Sequence, residues 1–106
     1  MEETIRLKQI REMLEMEPND DFLNYALALE LEASGNLKEA ISQLQSLLNR
    51  NPEYLGAYYK LGKLFEESKE ESKAIEIYKN GLVLAQKQNN KKAAGELSEV
   101  IWMLED

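Results

Sequence analysis

The chain contains no cysteine and no histidine. The first absence excludes disulfides, thiolate nucleophiles and cysteine metal sites. The second removes the commonest general base, the usual zinc ligand and every Ser-His nucleophile pair, so the serines have no imidazole to activate them. Only two prolines and five glycines interrupt 106 residues, and neither a Gly-rich phosphate loop nor an Asp-Asn-Gly calcium spacing occurs. Glu66-Glu67 and Glu70-Glu71 flank Ser68-Lys69 and read as a solvated loop carrying helix-starting charge. There is no run of about eighteen apolar residues to span a bilayer, and Met1-Glu2-Glu3-Thr4-Ile5-Arg6 lacks the basic-then-apolar layout of a secretory leader. A cytoplasmic location is therefore expected. Formal charge is −7 and nowhere do Lys and Arg gather as a phosphate-binding surface requires, so nucleic acid is not an expected ligand. Catalysis, a cofactor and a metal are not expected either.

What is present favours helices. Hydrophobic residues make up 43% and charged residues 31%, the balance of a folded soluble chain with room for one domain, 1–106. Leu, Glu, Ala and Lys dominate, and all are good helix formers. Residues 55–90 carry six Lys against five Glu, while the rest is acidic. That stretch reads either as a locally basic spot or as a wet helix surface.

The sequence repeats. Sliding it by 34 residues puts Pro18 on Pro52, Tyr25 on Tyr59, Leu27 on Leu61, Ala28 on Gly62, Ala40 on Ala74, Ile41 on Ile75 and Leu48 on Leu82. Leu7, Ile10 and Leu14 join the same register as the second half of an earlier unit. Within a unit the apolar residues recur at three and four, so each unit holds two amphipathic helices. Asn36 with Glu39 predicts a capping box, and Asn19-Asp20-Asp21 supplies N-cap side chains. Pro18 and Pro52 end the helices before them. Gly81 stands where Leu47 stood and predicts a close helix contact. The helix there runs on to a turn at Asn89-Asn90, after which Ala94, Leu97, Ser98, Ile101 and Leu104 take the packing places of a further helix.

A 34-residue unit with Leu27 or Leu61, then a small residue, a bulky Leu31 or Phe65, Ala40 or Ala74 and Pro52 resembles the tetratricopeptide repeat. The resemblance implies an all-α fold, a right-handed superhelix or α-solenoid of about six antiparallel helices. It divides into a half repeat at 1–18, full repeats at 21–54 and 55–90, and a capping helix at 91–106. The half units, with the wet Glu105-Asp106, read as caps at a domain terminus.

The resemblance also implies a protein-interaction adaptor whose opening helices line a concave groove for a peptide or partner helix. Carried onto this sequence, the groove holds Phe22, Tyr25, Leu29 and Glu32, then Gly56, Tyr59, Lys63 and Glu66, then Lys92, Gly95, Glu99 and Trp102. Aromatics at helical spacing are equally at home in a core, so Tyr25 and Tyr59 are open between groove and core, and Trp102 between groove wall and lid of the stack. Tyr58 and Phe65 are expected in the core. The family's chaperone-clamp subtype uses Lys and Asn where Tyr25 and Leu29 stand, which points away from an acidic C-terminal peptide and toward a mixed apolar and basic one. The partner is a protein or peptide, without membrane contact. The second reading is self-assembly, a monomer pairing weakly into a homodimer through Met13, Met16, Val100 and Met103.

Overall fold

A computed structural model describes residues 3–105. Met1, Glu2 and Asp106, which entered the readings of the two ends, lie outside them. The described residues form six α-helices and no strand: α1 (Ile5–Met16), α2 (Asp21–Ala33), α3 (Leu37–Arg50), α4 (Leu55–Glu67), α5 (Glu71–Lys87) and α6 (Lys91–Glu105). They fall into two compact units, Met1–Pro52 and Glu53–Asp106.

In the first unit α2 packs on both α1 and α3. The helix starts follow the cap chemistry: the Thr4 hydroxyl accepts from the Leu7 amide at 3.0 Å and the Asp20 carboxylate from the Leu23 amide at 2.9 Å, each satisfying a donor that the helix cannot. Asn36 opens α3 without a side-chain cap bond, so the expected capping box does not form. The chain enters that helix through Gly35, at φ 83°. There the Asn36 amide bonds back to the Leu31 carbonyl at 2.8 Å, the reverse-turn closure that satisfies a helix C-terminus. Leu27, Ala28, Leu31, Ala40, Leu44 and Leu47 are buried. Each buried leucine stabilises the fold by roughly 2 kcal/mol relative to exposure. One polar side chain, Asn24, is buried among them. Its amide donates to the Pro18 carbonyl at 3.1 Å and the Asp20 carbonyl at 2.8 Å, while its oxygen accepts from Gln43 of α3 at 2.7 Å. The polar atoms are thereby all paired.

In the second unit α5 packs on both α4 and α6. Ala57, Leu61, Leu64, Phe65, Ala74, Tyr78, Ala85, Leu97 and Ile101 are buried. Tyr58 is half-buried rather than core, and Ser98 is exposed where Ala28 and Gly62 are buried. The glycines explain the packing. A Cβ built at Gly62 would lie 2.1 Å from Tyr78 Cε1, and one at Gly81 would lie 2.7 Å from Tyr58 Cβ. Each glycine thus makes room for a ring from the facing helix, as expected for Gly81. The α4–α5 and α5–α6 turns repeat the closure seen at Gly35, with Lys69 at φ 66° and Asn89 at φ 56°. Asn90 then caps α6, its side-chain oxygen accepting from the Ala93 amide at 3.0 Å.

Candidate partner-binding surface

Of the residues assigned to the groove, Phe22, Tyr25 and Leu29 stand on α2 of the first unit. Phe22 is 69% exposed, and Tyr25 and Leu29 are half-buried. Tyr59, Lys63 and Glu66 follow one another along α4 at helical spacing and form a single cluster. The Tyr59 ring lies 5.9 Å from the Tyr78 ring, tilted by 49°, and the Lys63 ammonium lies 5.3 Å from the Tyr59 ring centre. Lys63 also sits 3.8 Å from the Glu66 carboxylate, whose same oxygen accepts the hydroxyl hydrogen of buried Tyr78. Tyr59 is half-buried with its ring fixed on two sides, so it belongs in part to both of the alternatives the sequence left open.

The electrostatics follow from this arrangement. Burial, then the hydrogen bond to Glu66 and that carboxylate's charge, hold the Tyr78 phenol far above its ordinary value of 10.0. Burial raises Tyr58 in the same direction. At the α4–α5 turn, hydrogen bonds from Lys73 and Ser68 lower the exposed Glu70 carboxyl. Among the described residues no three carboxylates come together to hold a metal ion.

Beside Tyr59 a cleft of about 240 Å³ opens between α4 and α6, lined by Leu55, Gly56, Tyr59, Asn90, Ala93, Glu96 and Leu97. A Cβ at Gly56 would meet nothing within 4 Å, which accounts for the open mouth. Glu96 is the one charged residue in the lining, and it makes no hydrogen bond or ion pair with a described residue. Repeat position alone places the open face of α6 on other residues and misses Ala93 and Glu96. The three-residue step from Ala93 to Glu96, beside the packing residue Leu97, is the signal that finds them. Glu99 and Trp102 lie on the outer side of α6, where Trp102 is 70% exposed.

A tetratricopeptide-repeat family model matches residues 31–94. The chain belongs to the tetratricopeptide-repeat family. The crystal structure of a tetratricopeptide-repeat domain protein from Salinibacter ruber is 34% identical over 81% of this chain and 96% of that one, with a TM-score of 0.76. Likeness of fold alone extends to a Bordetella parapertussis protein, 22% identical over 98% of this chain and 89% of that one, TM-score 0.82. It extends also to the TPR2B domain of yeast Sti1, solved as a pHsp70 complex, 21% identical over 93% of this chain and 79% of that one, TM-score 0.84. No protein of curated function matches the sequence. Tetratricopeptide repeats are in general protein-interaction modules, and among the described residues no helix is long and apolar enough to cross a membrane.

Proposed function

We propose that this tetratricopeptide-repeat protein is a non-catalytic cytoplasmic adaptor, acting as one domain over 1–106, that binds a peptide or partner helix through its opening helices. Tyr59 carries the reading: a half-exposed ring, held from behind by Tyr78 and from the side by Lys63, stands at the edge of an open cleft. A pre-positioned aromatic offers a large contact area at little entropy cost. The cleft walls are mainly apolar and its charge is the Glu96 carboxylate. That combination suits a side chain with an aliphatic stem and a cationic head, and hence a mixed apolar and basic segment. Lys63 and Glu66 are satisfied within the chain, so their role is to orient Tyr59 and border the site. Phe22, Tyr25 and Leu29 on α2, and Glu99 and Trp102 on α6, are proposed as further contacts.

Affinity capture from lysate with wild type and a folded Tyr59→Ala/Glu96→Lys variant, followed by titration of the captured segments as synthetic peptides, tests this. Segments rich in Lys or Arg and apolar residues are expected, binding the variant at least about tenfold more weakly. Equal binding by both proteins sinks the assignment.

A further inference from the structure

Helix ends attract opposite charge: carboxylates belong at the N-terminus and cations at the C-terminus. The second helix of each full repeat obeys this, α3 with Glu39 in its first turn and Arg50 in its last, α5 with Glu71 and Lys87. The helices α1 and α6 have neither feature and run the other way. On α1, Arg6 and Lys8 come first and Glu12 and Glu15 follow; on α6, Lys91 and Lys92 come first and Glu96 and Glu99 follow. All eight side chains belong to exposed residues, and none makes an ion pair or side-chain hydrogen bond with another described residue. Arg6, Lys8, Lys91 and Lys92 in the first turns and Glu15 in a last turn oppose the dipole of their own helix, and all eight are unused among the described residues.

The two patterns fit each other when the helices lie antiparallel. At 1.5 Å per residue, the centre of the cation pair stands about 10 Å from that of the carboxylate pair on α1 and about 9 Å on α6. Arg6 and Lys8 then face Glu96 and Glu99, and Glu12 and Glu15 face Lys91 and Lys92. The same outer faces carry uncovered apolar side chains: Ile5 is 79% exposed, Met13 50% and Met16 85% on α1, and Trp102 is 70% and Met103 61% on α6. In the antiparallel register that aligns these charges Ile5 comes opposite Val100, within a turn of Trp102 and Met103, while Met13 comes opposite Lys92, within a turn of Gly95, where a Cβ would meet nothing within 4 Å.

We infer that the outer face of α6 is a docking surface for α1 of a second copy of this chain, with like ends of the charge pattern kept apart and opposite ends brought together. Each copy offers both an α1 face and an α6 face, so it can enter two such contacts, in a closed pair or in an open chain. The contact shares α6 with the partner surface proposed above and does not involve Tyr59.

Sedimentation velocity across a concentration series at low salt reads the association, using the full chain and two charge-swapped variants. One variant is Arg6→Glu/Lys8→Glu/Glu12→Lys/Glu15→Lys; the other is Lys91→Glu/Lys92→Glu/Glu96→Lys/Glu99→Lys. Either swap aligns the charges with the helix dipole, so both variants keep their helices. Wild type is expected to associate and to dissociate as salt screens the pairs. Each single swap weakens association at least about tenfold, and the chain carrying both swaps recovers it. Antiparallel pairing of α1 with α1, or of α6 with α6, survives the swaps. Association that tolerates the single swaps therefore overturns the inference. So does a wild type that stays monomeric throughout. Tyr59→Ala leaves self-association unchanged, which separates this contact from the proposed partner site.

Discussion

The two units solve one packing problem with different chemistry. At equivalent places the first unit has Asn24, Ala28, Leu44 and Leu47, and the second has Tyr58, Gly62, Tyr78 and Gly81. Where the first unit pairs a small polar residue and an alanine with two leucines, the second pairs two rings with two glycines. Side-chain bulk moves from one helix to its neighbour while the space between them stays filled. The polar bonds of Asn24 with Gln43, Pro18 and Asp20 fasten the first unit. The Tyr78 hydroxyl on Glu66 and the rings seated over glycine fasten the second. A repeat thus preserves the joint occupancy of a contact more strictly than the identity of either residue in it.

Breaking one half of such a pair is expected to cost most. Gly62→Ala drives a methyl into the Tyr78 ring and, after the gain in helix propensity, lowers stability by about 2 kcal/mol in urea unfolding. Adding Tyr78→Leu, which recreates the Ala28 and Leu44 combination, is expected to return most of that loss. A double variant no more stable than Gly62→Ala would show that the two units do not exchange their solutions.

Asn24→Ala tests the polar side of the comparison. It removes three hydrogen bonds and leaves the Gln43 amide only its longer bond, 3.4 Å, to the backbone carbonyl of residue 24, with an expected loss of about 1.5 kcal/mol. Residue-resolved hydrogen exchange should place the loss in α2 and α3 first.

Alkaline pH is expected to act on the second unit. The phenols of Tyr58 and Tyr78 are raised in the folded state, so the folded chain holds protons that the unfolded chain gives up above pH ~10. The stability these groups contribute is complete below that pH and declines as pH rises through and beyond it. In a titration followed by phenolate absorbance, Tyr78 should ionise last and together with loss of helix. Tyr78→Phe should remove that late step.

The smallest effect concerns the turns. Gly35 and Lys69 stand at equivalent places with φ of 83° and 66°, a region costly to a residue with a Cβ. Lys69→Gly is expected to raise stability by about 1 kcal/mol, measured as a shift in the urea midpoint.

How legible each feature was depends on how local its cause is. The six helices, their separation by Gly35, Pro18 and Pro52, and the buried Leu27, Ala40 and Ala74 follow from spacing and backbone chemistry that a sequence displays directly. Asn36 shows where that stops: its neighbours spell a capping box, yet the Gly35 turn and its bond to Leu31 leave the side chain unused. The engagement of Glu66 by Tyr78 across two helices depends on the rotation of each about its axis, which a repeat position fixes only to the nearest face. Tyr25 and Tyr59 fall on the border between buried and open faces, and half-burial is what such a position yields. Glu96 escapes repeat position for the same reason, since one residue's shift in register moves a side chain by more than a quarter turn.

The exposed position of Trp102 has a use at the bench. It is the only tryptophan, and 70% of it meets solvent, so its emission in the native protein is expected to lie near that of free indole. Unfolding should leave the emission wavelength nearly still, whereas anything that covers α6 should shift it to the blue. The chain therefore carries its own optical reporter of contact, one that is almost blind to denaturation.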